Sequence, residues 1–362
     1  MLAVWVPLLL PFLAGPLARR LAEALSPRAA AWLLAGTATV LAGGILCSLG
    51  LLTTAGLLQL PPVAALGHLS QPWLTSAAPS APFAAALAGL VLAALAALAV
   101  RTAHRRRLEL RAARAALPAA APHPGDAAGD QHPDMRPLRA SVRRARAPRW
   151  LRSPLARLRP PTGYQLTVLD DEHADAFALP GRLRRPGRTG EPGRIVVTSG
   201  MLRALSGPER SALLAHERAH LTGRHHVFLA LAEHAAALHP ALRPLRAPLG
   251  YHLERWADEV AAARVGDRAV TARAVGRAAL AASRSPWPAR PRLVAAAHSG
   301  PVPRRVAALL EPRPSGTPAT RLRAVALALA ACLALTTGAT LEATADLHRT
   351  VEAAQHEPGA SR

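Results

Sequence analysis

The sequence predicts a mainly α-helical, multi-pass membrane protein with four transmembrane helices and a cytoplasmic α+β domain built as a small sheet plus a helical bundle. Three observations carry this expectation. The 362 residues are 51% hydrophobic but only 3% aromatic, so the apolar content is mostly Ala, Leu and Val, a mixture that favours helix. Four stretches are apolar enough to cross a bilayer, which takes about 20 such residues. Between the third and fourth, residues 160–320 change from short strand-like runs to helical patterns.

The expected spans are residues 2–17, 29–58, 81–100 and 321–345. Residues 2–17 lack the basic start of a signal peptide and are followed by Arg19 and Arg20, so they read as a retained span. Basic residues mark cytoplasmic loops. Arg19, Arg20 and Arg28 follow the first span, none lies between 59 and 80, and Arg101, Arg105, Arg106, Arg107, Arg111 and Arg114 follow the third. The expected topology has an outside N-terminus and a cytoplasmic region from 101 to the last span. A short external tail, residues 346–362, then closes the chain.

The formal net charge is +22 and no lysine occurs, so Arg carries all of the positive charge. Much of it flanks membrane ends, where it sets topology and meets anionic headgroups. Aromatic residues for base stacking are scarce, which argues against nucleic acid as a partner. The two cysteines, Cys47 and Cys332, sit inside apolar runs and read as small packing residues.

Residues 101–118 continue the third span as a basic helix, and a Pro/Ala-rich linker follows to about 159. Tyr164–Leu169, Asp175–Gly181 and Arg194–Gly200 read as strands. Ser206-Gly207-Pro208-Glu209 starts a helix, with Pro in the first turn and an acid at the positive end of the dipole. That helix runs to about Leu221. Further helices are expected over 224–238, 249–265, 270–282 and 302–310.

The helix from Pro208 carries His216-Glu217-Arg218-Ala219-His220. Residues four apart share a helix face, so both imidazoles can hold one zinc ion. Glu217 is placed to take a proton from a water activated there. A catalytic zinc needs a third protein ligand, and Glu254-Arg255-Trp256-Ala257-Asp258 offers Glu254. Asp258, four residues on, can accept a hydrogen bond from a zinc-bound His. Alone, the two carboxylates would serve equally as solvated partners of Arg255 or Arg264. Their position on a separate helix, 34 residues beyond His220, favours the ligand role. His225 and His226 follow the motif helix and can lie near the metal, but a pair at a loop-to-helix junction reads as structural or exposed.

HERAH followed by ERWAD resembles the HtpX/CAAX-prenyl-protease family of membrane zinc metallopeptidases, whose pattern is HExxH then ExxxD. DAFALPG and RIVVTSGMLRAL resemble that family's strand and helix before the motif. The four-span topology resembles the BlaR/MecR-type metallopeptidases, with a cytoplasmic zinc domain between the third and fourth spans. The resemblance implies a multi-pass, bacterial cell-membrane zinc endopeptidase with a cytoplasmic active site and one zinc ion. Its substrate would be a protein or peptide, such as a transcriptional repressor or a damaged membrane protein. The short external tail leaves no room for the sensor domain of BlaR/MecR proteins. Residues 176–179 would be an edge strand that pairs with extended substrate. HSGPVPRRVAAL resembles the family's HPP segment, which implies His298 as a second catalytic residue stabilising the oxyanion. Ser299-Gly300 replaces the first Pro of that pattern. Arg305 would then be a structural partner of a carboxylate. A reading from another class is a non-catalytic membrane transducer or scaffold that keeps the zinc for stability.

Overall fold

The computed structural model describes residues 2–77, 79–115, 117, 164–182, 191–284, 301–311 and 319–356. Helix dominates. In chain order the elements are α1 (Val6–Leu9), α2 (Pro11–Glu23), α3 (Pro27–Leu57), α4 (Pro61–Leu66), α5 (Gln71–Ala77) and α6 (Ala81–Ala115). Then come β1 (Tyr164–Leu169), β2 (Ala176–Leu179), β3 (Gly193–Thr198), α7 (Ser199–Ala204), α8 (Gly207–Thr222) and α9 (His225–Leu238). The last are α10 (Arg246–Val265), α11 (Arg268–Arg284), α12 (Val302–Leu310) and α13 (Ala319–His356). The linker expected before 160 lies outside the described residues.

Among the described residues three helices, not four, are long and apolar enough to cross a membrane: α3, α6 and Leu322–His356 of α13. The expected first span is the exception. Residues 2–23 form a 3-10 turn, α1 and α2, with prolines at 7, 11 and 16. Each Pro removes a backbone donor from the helical ladder. The longest piece, α2, has 13 residues, about 20 Å of helix against a hydrocarbon core of about 30 Å. The last span also differs from expectation, because α13 continues to His356 where a tail was expected.

The chain divides into two compact units. The first comprises Met1–Arg107, Arg224–Val260 and Ala296–Arg362. Its core is rich in small residues. Ala14, Ala18 and Ala22 of α2 and Ala31, Ala35, Ala38 and Ala42 of α3 are buried at helical spacing, which lets backbones approach closely. At Gly44 of α3 a Cβ would stand 2.5 Å from Thr336 of α13, so the close crossing of these helices requires glycine. Phe228, Ala232 and Ala235 of α9 join the same core as Leu34, Leu41 and Ile45 of α3. So do Leu242 and Leu245 of a 3-10 turn and Leu249 and Leu253 of α10. Trp32 of α3 meets Phe228 edge-on at 4.8 Å, and Arg28 stacks 5.4 Å from the ring centre of Trp256 on α10. At the other end of α13, Ala354 packs with Ala64, Leu69 and Leu74, and its carbonyl accepts from the Ser70 amide at 2.9 Å.

The second unit comprises Leu108–Gly223 and Ala261–Ala295. Its three-stranded sheet has the order β1-β3-β2, with β1 parallel and β2 antiparallel to β3. Alternation along the strands sorts the side chains. Phe177, Leu179 and Val196 pack against Leu110, Ala113 and Leu117 at the end of α6 and just beyond. Ala176, Ile195 and Val197 face the opposite way, toward Met201 of α7, Leu213 of α8 and Ala278 of α11. The sheet is therefore covered on both faces by helix. Gly200, at the turn into α7, abuts the Glu172 carbonyl so closely that any Cβ would collide with it at 2.0 Å.

Candidate metal centre

Helix α8 begins at a reciprocal cap. The Ser206 amide and hydroxyl both donate to the Glu209 carboxylate, at 2.9 and 2.8 Å. Arg277 of α11 approaches the same oxygen at 3.0 Å. Burial pushes the Glu209 carboxyl upward, but the Ser206 bonds and Arg277 outweigh it, and its pKa lies below the ordinary carboxylate value. A capped, anchored first turn holds the register of the turns that follow.

Two turns on, His216, Glu217 and His220 are all buried. The Nε2 atoms of His216 and His220 stand 3.1 Å apart, with the rings steeply inclined at 72°. Two nitrogens bound tetrahedrally to zinc at about 2.0–2.1 Å would stand about 3.3 Å apart. The pair is therefore already spaced as two ligands of one ion.

On α10, Glu254 and Asp258 are fully buried, each 0% exposed. Arg305 of α12 grips both. Its Nε and Nη2 donate to the two oxygens of Asp258 at 2.8 and 2.7 Å, and its Nη1 lies 2.9 Å from Glu254 Oε2. Both oxygens of Asp258 thus accept from Arg305, whereas spacing alone suggests a zinc-bound His as the donor, and the contact with Glu254 is an addition that spacing does not reveal. His216, His220 and Glu254 each offer one ligand atom, and these atoms all lie within 4.8 Å of one another. Two imidazole nitrogens and one carboxylate oxygen make a donor set suited to zinc.

The part of this arrangement on α8 lies in a segment similar to a known family. Residues 149–243 match the model of peptidase family M48. The segment is similar to that family over about a quarter of the chain. Neither a curated protein nor a solved structure matches the chain. The M48 segment takes in the sheet, α8 with its two histidines and Glu217, and α9; it ends before Glu254. M48 peptidases are zinc-dependent hydrolases, so the match and the three-ligand cluster agree on metal and reaction class. The match carries the family and not the finer resemblances to BlaR/MecR or HtpX.

The remaining histidines fall elsewhere. His298 lies outside the described residues. His225 packs its ring 4.7 Å from that of Trp256. The His226 carbonyl accepts from Arg106 at 2.6 Å. His234 Nδ1 bonds the Ala230 carbonyl one turn back at 2.7 Å. His239 accepts from the Ala241 amide and starts the 3-10 turn. Burial, with Arg255 and Arg304 nearby, pushes the pKa of His252 down to about 4, so it is neutral at physiological pH.

Proposed function

We propose that the protein is a membrane-embedded zinc endopeptidase that hydrolyses peptide bonds of a cytoplasmic regulator or of a membrane protein. The observation that carries this reading is the His216/His220/Glu254 cluster, with Glu217 next to the first ligand on the same buried helix. Zinc held there supplies Lewis acidity, polarising the scissile carbonyl and activating water. His216, His220 and Glu254 would hold the ion through two nitrogens and an oxygen. Glu217 takes the proton from the attacking water and passes it to the departing amine. Asp258 and Arg305 keep α10 and its ligand in place. Burial of all these groups keeps bulk water from competing for them.

Substrate is read as an added strand on β2, whose edge position follows from the order β1-β3-β2. The cytoplasmic placement of the site rests on the arginines that follow residue 100 and their absence between 59 and 80. Residues 2–23 complete a fourth crossing in this reading. Leu10, between α1 and α2, keeps helical backbone angles, donating to Val6 and accepting from Ala14 at 3.1 and 2.9 Å, so the helical bonding carries on from α1 into α2.

The test is Glu217→Gln in reconstituted membranes, scored by new N-termini in cytoplasmic and membrane proteins. Zinc binding should persist and cleavage should vanish. If wild type and variant leave every protein equally intact while both hold zinc, the transducer reading replaces the peptidase.

A further inference from the structure

We infer that Arg305 is a positioning residue for the metal ligand Glu254, an inference that rests on the zinc reading above. A guanidinium is planar, with five donors in fixed directions. Here the Nε–Nη2 edge forks onto both oxygens of Asp258, at 2.8 and 2.7 Å, which sets the plane of the group. With the plane set, Nη1 has one place to be, and it stands 2.9 Å from Glu254 Oε2. The guanidinium charge thus sits beside one oxygen of Glu254 and limits how that carboxylate turns. Single-oxygen ligation of a metal needs the carboxylate's direction fixed.

Burial makes this arrangement consequential. Glu254 and Asp258 are 0% exposed and Arg305 is 5% exposed. Two carboxylates one helical turn apart repel strongly in an interior of low dielectric, and the guanidinium between them joins them into one unit. Arg305 comes from α12, so α10 and its ligand are tied to a second helix by three short polar contacts. Lysine cannot substitute. Its ammonium is a single point of charge, so it can neutralise the pair without forking onto Asp258 and reaching Glu254 together.

The experiment uses the full chain, stripped of metal in detergent or nanodiscs, and Co²⁺ as the probe. The visible absorption of the bound cobalt reports its ligand set, and competition with a chelator gives the affinities for cobalt and zinc. Arg305→Gln and Arg305→Lys are compared with wild type and with Glu254→Gln, alongside thermal unfolding of the metal-free proteins. We expect both Arg305 variants to lose about 10- to 100-fold in metal affinity and their cobalt spectra to move toward that of Glu254→Gln. Metal-free Arg305→Lys should unfold near the wild-type temperature. Wild-type spectra and affinities in the Arg305 variants overturn the inference, whatever happens to their stability. If Arg305→Gln does not fold, Arg305→Lys decides by the same two outcomes. A wild-type chain that binds neither cobalt nor zinc defeats the zinc reading itself, which separates that failure from this one.

Discussion

Two imidazole nitrogens 3.1 Å apart in a buried site share either a proton or a cation. A nearby carboxylate from another helix favours the cation, because it supplies negative charge as well as a third donor atom. Replacing His216 or His220 with Ala should therefore abolish stoichiometric zinc binding, as measured by metal analysis of the purified protein. Glu217→Gln belongs to the other category, with zinc retained and turnover reduced by about 10²- to 10⁴-fold, the usual worth of a general base. These residues were legible in the sequence because their chemistry is local: four residues on a helix make one face. Glu254 was legible through its own i, i+4 partner Asp258. The grip of Arg305 on Glu254 was not, since it joins residues on different helices through the orientation of one guanidinium plane.

At the scale of elements, α8 depends on its first turn. Ser206→Ala removes a hydroxyl that donates to Glu209 and should cost about 1 kcal/mol of stability, read by thermal or denaturant unfolding. The sign of the pH effect follows from Glu209. Its folded pKa lies below its unfolded one, so its contribution is complete above the ordinary carboxylate range. That contribution is lost as pH falls through the folded value, and Glu209→Gln should flatten the acid limb of the stability curve. The helix start was readable from Ser-Gly-Pro-Glu, and the three strands from their alternation. Strand order was not, because pairing β1 and β2 on opposite sides of β3 is a long-range choice that no local pattern encodes. The alternation carries the expected strand two residues into α7, since Thr198 ends β3 and its hydroxyl also caps α7.

At the scale of the molecule, hydropathy found α3, α6 and the last long helix, since an uncharged run reports its own tendency to leave water. The first segment was harder, because prolines remove backbone donors from a run that looks continuous by hydropathy alone. The packing of α9 and α10 could not be read, as an apolar helix does not name its partner. Phe228, Leu249 and Leu253 share a core with the membrane helix α3, so the part of α10 that carries Glu254 belongs to the unit that holds α3. A fragment of residues 101–320 should then expose this apolar surface, aggregate without detergent and bind zinc more weakly than the full chain. Size-exclusion chromatography and metal titration of the fragment check this. A monodisperse fragment with full affinity would show that α3 is dispensable.

The most direct test of the central claim is the zinc content of the purified full-length chain, measured beside that of the double variant His216→Ala/Glu254→Gln. The account predicts one zinc ion per wild-type chain and none in the variant. Equal zinc in both, or none in either, would contradict it.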